Sequence, residues 1–584
     1  MPLPSVATLN VEIHLVPEER RLESLGRIRL INETEQEIAE LPLSIPPHLN
    51  INSLQVAGAR QTFADEVLGF YIYTFEEPMQ PGTQAEAQWD LTWSHSGFEN
   101  SNSSTRLVHN GTFVNNSEIM PAPGYDRDRE LQDNNVRRQH DLEPLIRMNK
   151  LEDRSRRVSS IFGRRRTKFE AIVSTAPDQT AVAPGYLAAQ WQEDGRAFFK
   201  YVMDKPIWPF VSVLSARYKQ VKDTWVNPDG GDDVELAVLF DEQHPYNVQR
   251  MLEGSKKSLD YFHREFSAYQ YRQFRILEFP GYQRFAQSFP NTIPYSERIG
   301  FISDLRDPAD IDFVFYVTAH ELAHQWWGHQ VTGADVQGQS MIIETLAQYS
   351  ALMVMEREYG APKMRRFLKY ELDSYLSSRG TELIEELPLL RVEDQGYIHY
   401  RKGSLAMYAL KEAIGEAKVN AALRRFLAVY AFNENDYPTS ADLIDEFRAQ
   451  AGPEHSELIS DLFEKITLFD LSVAEVSVVE IEGEFEVTAQ VRASKYYADG
   501  KGNETEVPLN AELELAVFPK PSPAQQETMN NSDLPPPLML TKRKLSSGEQ
   551  TFVFRVQDEP ARVGIDPYNK MIDRNPDDNL RWVN

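Results

Sequence analysis

Two histidines lie four positions apart in the segment HELAHQWWGHQ, which starts at His320. Residues i and i+4 of a helix share one face, so the rings of His320 and His324 can converge on a single metal ion. Glu321 lies about 100° round the helix from His320, so it does not easily share the ion but can reach a water bound to it. Unprotonated imidazole is a common ligand of zinc. The spacing therefore predicts a zinc site with a carboxylate beside it.

Two histidines do not hold zinc firmly, so a third protein ligand is needed. The segment QGQSMIIETLAQYSALMVMEREYG is mostly apolar with helical spacing, and Glu344 lies in its first turns. A carboxylate on an otherwise buried face costs several kcal/mol unless it is paired or binds a metal, which makes Glu344 the expected third ligand. Three protein ligands and a water are typical of a catalytic zinc. We therefore expect one Zn²⁺ per chain.

The alternative interpretation of this segment is that His320 and His324 are ordinary core residues that bind no metal. An H-E-x-x-H match arises by chance in a chain of this size on the order of a few per cent of the time. The helical context of FVFYVTAHELAHQWWG, predicted to end at Gly328, and the carboxylate on the following helix favour zinc instead.

Composition narrows the class of protein. The chain has 584 residues, with 88 Asp and Glu against 61 Lys and Arg, for a net charge of −27. Such an acidic surface disfavours nucleic acid and anionic membranes as partners. The chain has no cysteine, which excludes thiolate catalysis, disulfides and Cys-bound zinc. We expect neither a signal peptide nor a membrane-spanning segment in this chain, and the compartment stays open.

Hydrophobic periodicity divides the chain into three parts. Segments such as VATLNVEIHLV alternate apolar and polar residues up to about Trp225, which predicts an antiparallel β domain. Helical patterns dominate from Ile311 to about Leu468, and alternation returns near Asp470 in LSVAEVSVVEIEGEFEVTAQVRA. We predict a multidomain α+β protein with domains at 1–228, 229–468 and 469–584, the last a β-sandwich.

These motifs together resemble a known family. HELAHQWWG followed by Glu344 is similar to the zinc helices of the gluzincin aminopeptidases, the family related to aminopeptidase N and leukotriene hydrolase. The segment YRKG, from Tyr400 to Gly403, resembles that family's Tyr-x-Lys-Gly element, and PARVGIDPYNKMIDRNPDDN resembles its closing strand. The resemblance implies an N-terminal β-saddle, a thermolysin-like, mostly helical catalytic domain and a C-terminal β-sandwich.

The resemblance also implies roles for individual residues. His320, His324 and Glu344 correspond to the zinc ligands, Glu321 to the general base, and Tyr400 to the tyrosine that hydrogen-bonds the developing oxyanion. The implied activity is removal of N-terminal residues from peptides by Glu-assisted attack of a zinc-bound water.

The chain departs from the family at the position that binds the substrate's amino group. Counting back from Tyr295, the segment FAQSF stands where the family has Gly-Ala-Met-Glu-Asn, so Ser288 replaces the glutamate that anchors a free α-amine. Ala286, Gln287 and Ser288 are still expected to bind peptide along its backbone, as an edge strand does.

A second acidic residue is a candidate to replace that glutamate. Glu118, or the neighbouring pair Asn115 and Asn116, lies in the long polar connection from 96 to 131 of the first domain. The alternative is that these are ordinary exposed loop residues.

Two further departures concern spacing and length. Nineteen residues, Gln325 to Ile343, separate His324 from Glu344, one more than is usual in the family, and a loop absorbs such an insertion easily. The sequence stops after the sandwich, without the family's helical roof, so we expect a more open cleft.

Three functions stay open on these residues. The first is a zinc aminopeptidase, and the second is an endopeptidase or oligopeptidase with the same zinc chemistry, which Ser288 favours. The third is a low-activity, zinc-binding regulatory module of a membrane transporter, because the chain resembles a bacterial branch in which the peptidase is a soluble module fused to transporter segments. Intact Glu321 and Tyr400 speak against that third function.

Overall fold

The N-terminal part of the molecule is built from β-sheets. The computed structural model describes residues 2–95, 106–308, 310–526 and 533–583. The first strand alternates as expected: Leu9, Val11, Ile13 and Leu15 are buried and the residues between them are partly exposed. This strand lies at the centre of a seven-stranded sheet, antiparallel to its successor in the chain and parallel to the strand that contains Phe169.

The elements of this part are β1 (Ser5–Val16), β2 (Arg21–Ile31), β3 (Ile38–Ser44), β4 (Asn50–Val56), β5 (Ala59–Asp65), β6 (Phe70–Met79), β7 (Gln84–Ser94), β8 (Thr112–Asn115), α1 (Asn116–Ile119), β9 (Ala122–Pro123), α2 (Asn134–Gln139), β10 (Lys168–Thr175), β11 (Thr180–Val182), β12 (Tyr186–Glu193), β13 (Arg196–Val202) and β14 (Ser212–Ala216). The seven-stranded sheet has the order β12-β13-β10-β1-β2-β7-β4, and smaller sheets have the orders β11-β14-β8 and β5-β6-β3-β9. The first ten residues of the long polar connection, 96–105, lie outside the described residues.

The central part joins a four-stranded sheet to a group of helices. Its elements are β15 (Tyr218–Trp225), β16 (Val234–Asp241), α3 (Val248–Glu265), β17 (Gln273–Phe279), β18 (Thr292–Ser296), α4 (Phe313–Ala323), α5 (Leu346–Tyr359), α6 (Met364–Thr381), α7 (Gly403–Ile414), α8 (Glu416–Tyr430), α9 (Ser440–Ala451) and α10 (Ser456–Ile459). The sheet order is β15-β16-β17-β18; the first pair is antiparallel and the other two pairs are parallel.

The largest apolar core fills the space between this sheet and these helices. Trp326 and Trp327, which follow the histidine pair after one residue, are fully buried in it. Trp326 packs edge-on against Phe262 of α3, and the Trp327 indole N–H donates to Ser350 Oγ of α5 at 2.9 Å. The segment that follows the histidine pair is therefore fixed by aromatic packing against α3 and by a hydrogen bond to α5.

The C-terminal part is a sandwich of two antiparallel sheets. Its elements are β19 (Ile466–Ile481), β20 (Glu484–Ala498), β21 (Glu504–Val507), β22 (Asn510–Pro519), α11 (Pro523–Gln526), β23 (Met539–Ser546), β24 (Gly548–Val556), β25 (Pro560–Ile565) and β26 (Leu580–Trp582). One sheet has β24, β20, β19 and β21, and the other has the order β23-β22-β25-β26. Their inner faces share a core that includes Leu471, Val491, Leu515 and Val563.

The predicted fold class is confirmed: β-sheets come first, helices form the centre, and β-sheets end the chain. The individual domain boundaries stay predictions. The hairpin of β15 and β16 crosses the predicted boundary between residues 228 and 229, since Trp225 pairs with Val234. None of the helices in the described ranges combines the length and the hydropathy that a membrane crossing needs.

Candidate active site

Helix α4 carries His320, and His324 is the residue that directly follows its end. Its eleven residues contain no glycine or proline, and Asp312 caps it by accepting a hydrogen bond from the Phe315 N–H at 2.9 Å. The helix ends at Ala323, about one turn before the predicted end at Gly328. After Ala323 the chain tightens into a turn, in which the His329 N–H donates to the His324 carbonyl, and Gly328 has a φ of 129° that no helix allows.

The structure brings the three predicted zinc ligands together. His320 Nε2 lies 3.1 Å from His324 Nε2, and Glu344 Oε2 lies 3.5 Å and 3.3 Å from these two nitrogens. All three side chains are largely buried. Ligands at about 2.0–2.1 Å from a tetrahedral zinc stand roughly 3.3 Å from one another, so the observed separations fit one ion.

Hydrogen bonds and an unpaired oxygen support the same assignment. His324 Nδ1–H donates to the Trp327 carbonyl at 3.0 Å, which orients the ring so that Nε2 faces His320 and Glu344. Glu344 Oε2 is buried and has no hydrogen-bond partner among the described residues. A buried carboxylate oxygen without a hydrogen bond is costly unless a cation faces it. The donor set of two imidazoles and one carboxylate therefore fits zinc.

Glu344 and Tyr400 both stand on π-helical turns. Glu344 lies in the turn Met341–Thr345 that leads into α5, and Tyr400 lies in the turn Tyr397–Lys402 that leads into α7. A π-turn encloses one residue more than an α-turn and occurs frequently at functional sites. The Thr345 hydroxyl donates to the His399 carbonyl at 2.7 Å and thereby ties the two turns to each other.

Glu321 and Tyr400 line one cavity of about 400 Å³ with the three predicted ligands. Burial deprives the Glu321 carboxylate of water and raises its pKa to about 7, although the charge of nearby His324 opposes the shift. Burial, followed by the negative charge of Glu344, also raises the pKa of Tyr400. The Tyr400 ring lies 6.0 Å from the His320 ring. The phenol therefore stays protonated beside the ligands.

The predicted peptide-binding segment lines the same cavity. Ala286 forms a β-bridge to Tyr295, and the Gln287 N–H donates to the Pro294 carbonyl at 3.1 Å, so the segment runs antiparallel to β18 at the edge of the sheet. Ser288 Oγ accepts a hydrogen bond from Gln325 Nε2 at 2.6 Å. Ser288, which stands where the family has its amine-binding glutamate, therefore has a hydroxyl that is already hydrogen-bonded to Gln325.

Glu118 does not lie at this cavity. Its carboxylate accepts from the Asn115 N–H at 3.0 Å in a capping box at the start of α1, and it forms an ion pair with Arg106. Because its oxygens serve these two partners, the structure does not bring Glu118 to the predicted ligands. Asn115 Oδ1 is occupied in the same capping box, and Asn116 lines a different cavity.

Sequence reasoning missed the place of two polar residues in the cavity and gave a third, His399, only a supporting role beside Tyr400. Because the helix was predicted to end at Gly328, His329 was expected to point away from the metal, yet it lines the cavity and its Nε2 lies 3.1 Å from the Ser288 carbonyl. Burial lowers the pKa of His329 to about 3, so the ring is neutral. His399 packs against the Tyr400 ring at 4.3 Å. Asp394 is exposed at the rim with a φ of 54°. Only the path of the chain after each helix reveals these positions, because no residue spacing predicts them.

A second group of metal-binding side chains lies outside this cavity. His244, Glu278 and Glu297 come within range of one another near the carboxyl ends of the parallel strands. His244 Nδ1 is already hydrogen-bonded to Glu278, and Glu297 accepts from the Gly281 N–H at 2.8 Å. These partners satisfy the second group without a metal, unlike Glu344 Oε2 in the first group.

Comparison with known proteins gives the same family as the motifs. The model of the peptidase family M1 domain matches residues 250–465. Human endoplasmic reticulum aminopeptidase 2 is 28% identical over 210 residues, which cover 34% of this chain. Those residues span 22% of that human protein, about a fifth of its length.

Solved structures show the same fold over most of the chain. An M1 zinc metallopeptidase from Deinococcus radiodurans aligns with a TM-score of 0.55 and 14% identity over 79% of this chain and 94% of its own. Legionella pneumophila aminopeptidase A, solved in complex with aspartic acid, aligns with a TM-score of 0.57 and 13% identity over 97% of this chain and 58% of its own. Residues 250–465, which include the two histidines and the glutamate, therefore form a domain of peptidase family M1, the family of the gluzincin zinc aminopeptidases.

Proposed function

We propose that this chain hydrolyses peptide bonds with one zinc ion and removes N-terminal residues from peptides. The observation that carries the proposal is the convergence of His320, His324 and Glu344, with Glu321 and Tyr400 lining the same cavity of about 400 Å³. Three ligands, a carboxylate base and a phenol donor are what metal-assisted amide hydrolysis requires.

His320, His324 and Glu344 are the residues that would hold the ion. When bound, zinc supplies a Lewis acid that lowers the pKa of a water and polarises a carbonyl group. The chain's own part is to fix the ligands in advance: Trp327 orients the His324 ring, and the packed π-turns hold Glu344.

Glu321 acts as the proton carrier. Burial raises its pKa to about 7, so the carboxylate is a stronger base than an exposed glutamate. It takes a proton from the attacking water and passes it to the nitrogen of the leaving amine. Tyr400 keeps its proton and donates a hydrogen bond to the carbonyl oxygen as negative charge develops there.

Residues 285–289, which we call the edge segment, are the proposed binding site for the substrate backbone. Phe285, Gln287 and Phe289 pair with β18 through their backbone groups. Strand alternation turns the backbone of Ala286 and Ser288 to the opposite side, toward the cavity, where an extended peptide can add as a further strand. Peptide is therefore the proposed partner, bound mainly through its main chain.

Glu321→Gln tests the proposal. The amide keeps the shape of the side chain but cannot accept a proton, so we expect kcat on a peptide library to fall by about 10²–10⁴-fold. Metal analysis of the same protein should still give one zinc per chain, whereas Glu344→Ala should lose zinc as well as activity. Turnover that survives Glu321→Gln, or wild-type protein that takes up no zinc, would overturn the proposal.

The second candidate is an endopeptidase or oligopeptidase with the same zinc chemistry. Ser288 favours it, because a hydroxyl bonded to Gln325 offers no charge to a free α-ammonium group. The two candidates are separated by comparing a peptide with a free amino terminus and the same peptide acetylated. Loss of cleavage on acetylation supports the aminopeptidase, and equal cleavage of both supports the second candidate.

A further inference from the structure

A second, larger cavity adjoins the cavity that His320, His324 and Glu344 line, which we call the zinc cavity. It has a volume of about 760 Å³ and lies among the N-terminal segment, the chain around Met120 and residues 155–165. Ile161, Phe162 and Phe210 line both cavities. The two spaces are therefore neighbours across a single wall made by these residues, which we call the apolar wall.

The apolar wall is a fixed structure. Ser160 and Gly163 exchange both backbone hydrogen bonds at 3.0 Å, which closes a tight turn whose Ile161 side chain is 48% exposed. Phe162 stacks on Trp208 at 5.7 Å, and Phe210 stacks on Phe289 at 4.3 Å.

The turn is also tied to the catalytic part of the chain. Ser160 forms a β-bridge to Ala334, and the Asp335 N–H donates to the Ser159 carbonyl at 3.0 Å. Because the N-terminal side of the turn is anchored and the turn itself is closed, the exposed Ile161 stands at a defined place between the two cavities. Phe289, against which Phe210 stacks, directly follows Ser288, so the larger cavity lies beyond that end of the edge segment.

The larger cavity is positively charged although the chain is strongly acidic. Its charged lining residues are Arg156, Arg164, Arg165 and Asp335. Arg165 is paired with Glu33 at 2.6 Å, while the Arg164 guanidinium makes a long contact to the Glu33 carbonyl at 3.4 Å as its one hydrogen bond within the described ranges. Arg156 stands 3.6 Å from Asp153 at a half-exposed position, an arrangement that contributes little. A cationic cavity in a chain of net charge −27 favours an anionic occupant.

We propose that this cavity binds the distal part of an extended peptide substrate and that Arg156 and Arg164 select acidic residues there. The proposal rests on the proposed peptidase function and specifies its substrate class: oligopeptides with acidic side chains several positions from the cleaved bond. The peptide main chain follows the edge segment, passes the apolar wall at Ile161 and Phe162, and enters the cationic cavity. Guanidinium groups bind carboxylates there through charge-assisted hydrogen bonds.

The test uses the zinc-loaded full chain and matched internally quenched peptides. The peptides share one core sequence and carry a Glu-Glu, Gln-Gln or Lys-Lys pair at a distal position, on the N-terminal side in one series and on the C-terminal side in another. We expect KM to be about three- to tenfold lower for the Glu-Glu than for the Lys-Lys peptide in one of the two series, with a difference that shrinks at high salt. A dipeptide substrate too short to reach the cavity gives the reference rate.

Arg156→Gln/Arg164→Gln is the diagnostic variant, and Arg154→Gln is its control. Arg154 lies in the same segment and is exposed, but it does not line the cavity. The double variant should raise KM for the Glu-Glu peptide to that of the Gln-Gln peptide and leave the dipeptide rate unchanged. The control variant should change neither value.

Binding to Glu321→Gln protein separates this inference from the peptidase proposal. Fluorescence anisotropy of a labelled Glu-Glu peptide reports binding without turnover, and the double variant should weaken it about three- to tenfold. Equal affinity for the Glu-Glu and Lys-Lys peptides, or no effect of the double variant, overturns the inference even if the enzyme is active. Absence of any zinc-dependent cleavage, including that of the dipeptide, instead overturns the proposed function.

Discussion

At the scale of single residues, Tyr400 and Tyr397 offer a matched comparison. Both stand on the π-turn before α7, but only Tyr400 lines the zinc cavity. Tyr400→Phe removes one donor to the developing oxyanion, so we expect kcat to fall by about 10²–10³-fold with KM little changed. Steady-state kinetics on one peptide, with zinc content measured in parallel, checks this.

Tyr397→Phe is the control for that prediction. The Tyr397 hydroxyl is buried without a hydrogen-bond partner in the part of the chain that the structure describes, so its loss should leave kcat unchanged. A fall of less than about threefold in Tyr400→Phe, or an equal fall in both variants, would contradict a direct role for Tyr400.

Residue types and their spacing predict the centre of the site but not its rim. Helical periodicity was enough to place His320 and His324 on one face, and the cost of a buried charge singled out Glu344. The position of His329 depends on a turn after α4, and a turn is decided by tertiary contacts that spacing does not contain. Glu118 was a candidate by charge alone, and its capping box uses that charge locally.

At the scale of elements, Gly403 permits the close packing of the two π-turns. A Cβ at this position would stand 2.6 Å from Thr345 Oγ1 and 2.8 Å from Thr345 Cγ2. Thr345 is buried and hydrogen-bonded to the His399 carbonyl, so it cannot swing away cheaply. With a methyl group at position 403, the π-turn that carries Tyr400 and the π-turn that carries Glu344 would have to move apart.

Gly403→Ala should therefore lower stability by about 1–3 kcal/mol and weaken zinc binding, because Glu344 adjoins the displaced Thr345. Thermal unfolding and zinc titration of the purified variant measure both effects. Gly380→Ala is the control: this glycine is exposed on α6 with nothing within 4 Å of its added Cβ, and alanine there should stabilise by about 0.4–1 kcal/mol. Unchanged zinc affinity in Gly403→Ala would show that the turns tolerate the methyl group.

Strands and helices were predictable from periodicity, whereas the π-turns were not. Alternating burial in β1 follows directly from Leu9, Val11, Ile13 and Leu15. A π-turn differs from an α-turn by one enclosed residue, and both give the same apolar pattern over five positions. The structure was therefore needed to show how Glu344 and Tyr400 are presented.

At the scale of the whole molecule, a buried ion pair joins the sandwich to the helical centre. Asp533 accepts from Arg366 Nε at 2.6 Å and from Lys363 at 3.1 Å, and the side chains of Asp533 and Arg366 are 4% and 8% exposed. Burial works to raise the pKa of Asp533, but the hydrogen bonds and charges of Arg366 and Lys363 outweigh it and lower that pKa below 3.8. The pair stabilises the contact between the two parts of the chain.

Asp533→Asn should lower the free energy of unfolding by about 3 kcal/mol near neutral pH, because it removes the carboxylate charge that faces the buried Arg366 guanidinium. A lowered folded-state pKa gives a contribution that is fully present above 3.8 and is lost as pH falls through the folded-state value. The difference between wild type and variant should thus stay constant from about pH 7 to pH 5. Denaturant unfolding at several pH values measures it.

Asp577→Asn provides the matched control, because its partner Lys369 lies on the same helix as Arg366. Asp577 is 82% exposed and pairs with Lys369 of α6 at 3.2 Å, so its loss should cost less than about 1 kcal/mol. Similar costs for the buried and the exposed pair would contradict the role assigned to Asp533.

The order of the three parts was predictable, but the larger cavity was not. The switch from alternating to helical periodicity and back marks the three parts without reference to their packing. The cavity is assembled from segments as distant in sequence as Pro4, Met120, Ser160 and Asp335. Its three arginines all lie in residues 156–165, but the sequence does not show that this segment borders a cavity.

The tight turn at Ile161 makes the two cavities separately observable. Because the chain has no cysteine, Ile161→Cys would introduce its one thiol, at an exposed tip that borders both spaces. An environment-sensitive fluorophore attached there would report the arrival of a ligand on either side without interference from other labelling sites. A spin label at the same position would allow the distance from Ile161 to a labelled bound peptide to be measured, and hence how far that peptide extends from the metal.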